Sequence, residues 1–181
     1  MIITLDGLDG VGKSTVAEML KVELNATVIK GVRDIYVDKL AYGSPNIDVR
    51  CLYYLASFLD SILEAKTKIN TTIIFDKSFY TTIAYHKCLG SQIDLEKTIT
   101  SLVNPDLKVY LTCPKDIWVK RLLTRKNISW YEEKIINQDS LAENIELTYS
   151  KMGLCRIVND NLENTVLDIL KLIQISNAHE L

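Results

Sequence analysis

The sequence predicts an α/β fold, a five-stranded parallel sheet with helices on both faces. Short β-branched runs alternate along the chain with longer stretches whose apolar residues recur at helical spacing. A glycine-rich turn, "GLDGVGKST" from Gly7 to Thr15, stands directly behind the first of those runs. The 181 residues contain no internal repeat, low-complexity segment or linker, which points to one domain with a sizeable core.

Taken in order, "IITL" (Ile2 to Leu5) reads as a buried strand, and Val16, Met19, Leu20 and Leu24 mark a helix over Lys13 to Leu24. "TVIK" (Thr27 to Lys30) is the second strand. Leu52, Leu55, Leu59, Ile62 and Leu63 form a stripe that predicts a long helix from Asp48 to Lys66. "TTIIFD" (Thr71 to Asp76) is a strand ending in a carboxylate, followed by helical patterns near Thr81 to Cys88 and Leu95 to Val103. "LKVYLT" (Leu107 to Thr112) is the fourth strand. A helix follows from Pro114 to Lys126, with proline in the first turn, where its missing N–H is no loss. "LCRIV" (Leu154 to Val158) closes the sheet, and an amphipathic helix runs from about Glu163 to Ile175. Ligands of such sheets bind beyond the carboxyl ends of the strands. That edge carries Asp6 to Ser14, the region after Lys30, Asp76 and the loop after Thr112.

Composition narrows the function classes. A formal net charge of -2 and a pI near 5.7 argue against a broad surface for nucleic acid. No apolar run approaches the ~20 residues of a membrane span, and "MIITLD" lacks a basic signal-peptide start. Four widely spaced cysteines form no CxxC pair and read as reduced thiols. These features predict a cytoplasmic protein with neither a nucleic-acid nor a membrane partner.

The glycine turn fits G-x-x-x-x-G-K-[ST] through Gly7, Gly12, Lys13 and Ser14, with Gly10 inside it and Thr15 behind. Glycines let the backbone bend its amides toward one centre, and a helix N-terminus adds partial positive charge. Lys13 then reaches the β- and γ-phosphates of a nucleoside triphosphate and Ser14 supplies an oxygen to Mg²⁺. The strand before the turn and the helix after it are the context that motif requires, so the fold expected is that of the P-loop NTPases. No N-K-x-D motif of a GTPase switch is present.

Other polar positions fall on the same edge. Asp9 lies inside the turn, where a carboxylate repels phosphate; it reads either as an acceptor for a substrate hydroxyl or as a cap for local amides. Asp76 ends a buried strand, where a lone charge is expensive, and is a candidate for metal binding or catalysis, or an N-cap. Lys77 meets an anion or is solvated. Arg121 and Arg125 share a helix face with Lys126 nearby, a cluster that can stabilise a moving phosphoryl group or simply face solvent. Arg33 binds an acceptor anion or pairs with Asp34. Tyr54 and Phe58, placed opposite the leucine stripe, pack in the core or stack on a flat base. His86 receives no role.

These residues together resemble the thymidylate kinase family of nucleoside-monophosphate kinases, and more loosely the deoxynucleoside kinases. "ITLDGLDGVGKST" is similar to the family's first strand and phosphate loop, and "FDKSFYTTIAY" to its D-R-[YH] segment. "NPDLKVYLTCP" with "KRLLTRK" resembles its P-D-L strand and arginine-bearing lid, and "RIVNDNLENTVLDIL" its last strand, adenine-side loop and helix. The resemblance implies ATP, Mg²⁺ and a small-molecule acceptor. It implies contact of Asp9 with the acceptor's sugar, Arg33 with its phosphate and Tyr54 with its base. Thr81 would lie near the acceptor, Tyr85 near the sugar, and Arg125 in a lid of about residues 121–132. Family members often pair through their helices, which leaves a homodimer open.

Three departures stand out: Lys77 replaces an arginine, "RDI" replaces R-E-P, and Phe58 or Leu59 stands where the family's long helix carries an arginine that reads thymine. The function expected is transfer of the γ-phosphoryl of ATP to a nucleoside monophosphate, with Lys13, Asp76 and Arg125 as catalytic groups. The alternatives are a kinase acting on a hydroxyl of a nucleoside or other small molecule, and a non-catalytic ATP-binding regulator.

Overall fold

The structure, a computed structural model, describes residues 1–33, 44–68, 71–94 and 96–178. Asp34 and Ile35 of the "RDI" segment, and Leu95 at an expected helix start, lie outside the described residues. Five strands form one all-parallel sheet in the order β2-β3-β1-β4-β5: β1 (Ile2–Asp6), β2 (Thr27–Lys30), β3 (Ile73–Asp76), β4 (Leu107–Thr112) and β5 (Cys155–Val158). Each falls within a residue of its expectation except β3, whose pairing starts two residues later. Among the described residues the helices are α1 (Lys13–Glu23), α2 (Ile47–Lys66), α3 (Phe79–Cys88), α4 (Glu96–Leu102), α5 (Lys115–Leu123), α6 (Trp130–Asn137), α7 (Asp139–Ser150) and α8 (Leu162–Ala178). None is long and apolar enough to cross a membrane.

Both faces of the sheet are covered, which is why its strands read as continuous apolar runs. Helices α1 and α8 pack on one face. On the other, Phe58 of α2 meets Phe75 of β3 at 5.2 Å between ring centres, and Tyr149 of α7 stacks on Tyr110 of β4 at 4.7 Å. The register sets Thr4 beside Phe75 and Asp6 beside Tyr110, so these aromatic contacts share a face.

The buried side of α2 holds only part of the leucine stripe, Leu55 and Ile62. Leu52 and Leu63 are exposed, whereas Cys51, Leu55, Ser57, Phe58, Ser61, Ile62 and Ala65 are buried. Two serines explain the rotation, because their short side chains bring α2 against the end of β2. Ser57 Oγ accepts from Arg33 N at 2.7 Å and Ser61 Oγ donates to Lys30 O at 3.1 Å. Phe58 therefore lies in the core, between Phe75 and Phe79, and the expectation that it contacts substrate is corrected.

The helix expected to reach Lys126 stops at Leu123, and two further helices fill the stretch before β5. Ser129 caps α6 in a reciprocal pair: its Oγ accepts from Glu132 N, and Glu132 accepts from Ser129 N at 2.7 Å.

Candidate active site

The carboxyl ends of β1 and β3 assemble a charged floor. The turn after β1 holds Gly7, Gly10 and Gly12, each with positive φ. Gly12, at φ 100°, precedes α1, and a Cβ there would stand 2.4 Å from Asn159 Nδ2. Asn159, fully buried after β5, donates to Val11 O at 2.7 Å and accepts from Thr165 Oγ1 at 3.1 Å, so the loop is tied to the start of α8. Arg121 Nη1 donates to Gly10 O at 3.3 Å from the other side.

Lys13 is buried, and its ammonium donates to Gly7 O at 2.9 Å and Leu8 O at 2.7 Å. Burial lowers its pKa, opposed by Asp9, whose Oδ1 is 3.7 Å away. Asp9 also pairs with Lys77 Nζ at 2.6 Å. Burial acts to raise the Asp9 carboxyl, but the two ammonium groups outweigh it and hold the acid well below the usual carboxylate range. The repulsion that a carboxylate in a phosphate loop invites is thus offset by a lysine on each side. Tyr85 Oη accepts from Asp9 N at 3.0 Å and faces Asp9 Oδ2 at 3.5 Å.

Lys77 is held in an unusual conformation. It is a non-glycine residue at φ 68°, in the left-handed region. Its carbonyl oxygen approaches Gly31 so closely that a Cβ there would stand 1.7 Å away. Gly31 N donates to Asp76 O at 3.2 Å and Lys77 N to Leu5 O at 3.1 Å, which fixes the turn from both neighbours.

Ser14 Oγ donates to Asp76 Oδ2 at 2.6 Å, while Asp76 Oδ1 is buried without a hydrogen-bond partner. Asp6, one strand over, is fully buried and fully used. It accepts from Ser78 N at 2.9 Å, Ser78 Oγ at 2.8 Å, Thr81 N at 3.1 Å and Thr81 Oγ1 at 2.7 Å. Burial raises its pKa although all four hydrogen bonds favour the anion. Tyr149 extends the chain by donating to Thr81 Oγ1 at 3.0 Å. Asp6 therefore docks the start of α3 onto β1.

Two cavities flank this floor. The first, about 420 Å³, is lined by the phosphate loop with Ser14 and Thr15, and by Arg121, Thr124, Arg125 and Leu162. The second, about 340 Å³, is lined by Tyr54, Thr81, Thr82, Tyr85, His86, Ser129, Tyr131 and Glu132, with Lys30, Val32, Asp76 and Ser78 at its sheet end. Asp9, Ser14 and Lys77 line both, so the cavities adjoin across these three residues. Arg125 pairs with Glu132, which is buried and shared with the cap of α6.

Lys13, Ser14, Thr15, Asp9, Lys77, Asp76, Tyr54, Thr81, Tyr85 and Arg125 each line one or both of these cavities. Arg33 does not. It pairs with Asp60 at 3.0 Å and Glu64 at 2.7 Å on α2 and lines neither cavity, which corrects its expected place against the acceptor. Asn159, Tyr131 and Glu132 escaped sequence reading, while Asp6 was placed only on the ligand edge and His86 was given no role. Only Glu132 had a local signal, the S-x-x-E spacing from Ser129.

The geometry finds its counterpart in known proteins. The family model described as "Thymidylate kinase" matches residues 44–169, more than half of the chain, from just before α2 into α8. The chain is 25% identical to a protein of Methanosphaera stadtmanae described as "Probable thymidylate kinase", over 95% of this chain and 100% of that one. It is similar in structure to thymidylate kinase from Candida albicans, with a TM-score of 0.72 and 17% identity over 98% of this chain and 92% of that one. It is also similar to the YorR protein of Bacillus subtilis, solved in complex with phosphorylated GDP, with a TM-score of 0.66 and 25% identity over 99% of both chains. The chain belongs to the thymidylate kinase family: it is a phosphotransferase that moves a phosphoryl group to a nucleoside monophosphate.

Proposed function

We propose that the larger cavity takes ATP, the smaller takes the monophosphate, and the γ-phosphoryl crosses between them at Asp9, Ser14 and Lys77. The observation that carries this reading is that Asp9, Ser14 and Lys77 line both cavities, so the two meet at the end of the phosphate loop. The acceptor oxygen of a monophosphate is already anionic, so its bond to the γ-phosphorus forms as the bond to the β-bridging oxygen breaks, with no strong base needed. The work left to the protein is alignment and neutralisation of charge.

Lys13 would turn its ammonium from the carbonyls of Gly7 and Leu8 to the β- and γ-phosphates. Lys77, on Asp9, supplies charge beside the transferred group without an arginine's bidentate grip. Arg125, held by Glu132, approaches from the short lid of residues 121–132. The residues fit Mg²⁺: Asp76 Oδ1 is an orphaned buried acceptor and Ser14 Oγ sits on the same carboxylate. Among the described residues no cluster of three acidic, histidine or cysteine side chains forms an all-protein cage. That suits a cation completed by nucleotide oxygens and water, where it would offset phosphate charge.

An acceptor panel scored by ADP release tests this reading. ADP should form with monophosphates, and Lys13→Ala should retain its circular dichroism spectrum while losing about 100-fold or more in kcat. Turnover with nucleosides alone would favour a hydroxyl kinase. Unchanged turnover in Lys13→Ala would remove the phosphate loop from the mechanism.

A further inference from the structure

Asn159 is fully buried behind the phosphate loop, and its partners assign both ends of its carboxamide. Val11 O, 2.7 Å from Nδ2, only accepts, so the amide end faces it. Oδ1 then accepts from Thr165 Oγ1 at 3.1 Å, and that hydroxyl also reaches Asn161 O at 2.8 Å. The Asn159 backbone is fixed as well: its N–H donates to Thr112 O at 2.7 Å, where β4 and β5 end side by side. One residue thus joins the sheet edge, the loop and the first turn of α8.

This grip controls the peptide between Val11 and Gly12. The peptide is trans and planar, so its C=O and N–H point in opposite directions. Holding the carbonyl on Asn159 therefore aims the Gly12 N–H away from Asn159. Gly12 lines the larger cavity and Asn159 lines neither, so the grip lies on the outer side of the loop. The carboxamide also rests directly against the glycine, since a Cβ on Gly12 would meet Nδ2 at 2.4 Å. Leu162, in the turn that follows Asn159, lines the same cavity, and the bonds to Asn161 and Asn159 fix that turn.

We infer that Asn159 is a positioning residue for the phosphoryl donor: it turns the Gly12 amide toward the polyphosphate and sets the spacing between that amide and Leu162. The inference rests on the larger cavity being the ATP site. Asn159 touches no nucleotide; it acts through the peptide it holds and the turn it anchors.

Isothermal titration of the full chain with a non-hydrolysable ATP analogue and Mg²⁺, and separately with inorganic tripolyphosphate, tests the inference in wild type and Asn159→Asp. The carboxylate keeps the size of the side chain and its acceptor for Thr165, but it turns a lone pair on Val11 O. The variant should bind both probes about tenfold or more weakly, with KM for ATP rising in step, while KM for the monophosphate stays within about twofold. Undiminished affinity in a folded Asn159→Asp protein, or equal damage to both KM values, would overturn the inference. Wild type alone provides a second test: the Gly12 amide proton should shift downfield in ¹⁵N-resolved NMR when tripolyphosphate binds. An unmoved Gly12 resonance with the probe bound would overturn the inference whether or not the variant folds. Binding of neither probe by wild type would overturn the reading of the larger cavity as the ATP site, and this inference with it.

Discussion

Acidification should reveal His86 as a stability switch. Its imidazole is 2% exposed, and burial pulls its pKa from 6.5 down to about 4. The unfolded chain takes up its proton as pH falls through about 6.5, while the folded chain resists until about 4. Between those values the unfolded state binds more protons, so stability falls as pH falls. The full gap of about 2.5 pH units corresponds to about 3 kcal/mol, of which about 2 kcal/mol is lost between pH 7 and pH 5. Asp9 shifts the other way round in range: its depressed pKa gives stability that is lost only at pH values below the ordinary carboxylate pKa. The two groups therefore act in separate windows.

Urea unfolding of wild type and His86→Gln at a series of pH values isolates the effect as a difference of slopes. The groups facing His86 include Arg50 and Asp48 of α2, and both are present in the two proteins, so their own titration cancels to first order. Wild type should lose about 2 kcal/mol more than the variant on going from pH 7 to pH 5. Parallel curves would refute the claim that the folded protein holds His86 neutral.

Further outcomes follow from the same contacts. Asp6→Ala strands two backbone N–H groups and two hydroxyls at the start of α3 and should cost about 3 kcal/mol or more in urea unfolding, whereas Asp6→Asn, which keeps an acceptor, should cost about half as much. Gly31→Ala places a methyl 1.7 Å from the Lys77 carbonyl oxygen and must displace that turn. It should lower kcat/KM for the monophosphate about tenfold or more while KM for ATP moves little, and equal damage to both would argue for general disruption.

The sheet was legible because its strands are short, apolar and β-branched, and burial on both faces leaves no ambiguity of phase. The phosphate loop was legible because its chemistry lies in consecutive residues. Helix α2 shows where that reading stops. Leu52 and Leu63 of its stripe face solvent, while Ser57 and Ser61 face inward because they bond to the backbone of Arg33 and Lys30, and no local pattern announces partners 24 and 31 residues distant. Arg33 went astray for a related reason: its carboxylate partners on α2 fall on one face only once that helix has docked.

Helices α6 and α7 were missed despite the Ser129–Glu132 spacing, which marks a helix start only for a reader looking for caps. His86 and Asn159 draw their roles from groups 45 and 148 residues away, Tyr131 Oη and Val11 O. The left-handed backbone of Lys77 and its contact with Gly31 arise where the ends of β2 and β3 meet, which no local pattern around Lys77 encodes.

The central claim is a single transfer across the junction of the two cavities, and ³¹P NMR of the protein with ATP, Mg²⁺ and a nucleoside monophosphate observes that transfer directly. The γ-phosphate signal of ATP should disappear as ADP and the acceptor's diphosphate grow in equal amounts. Release of orthophosphate without a new diphosphate, or ATP left intact with every monophosphate, would contradict it.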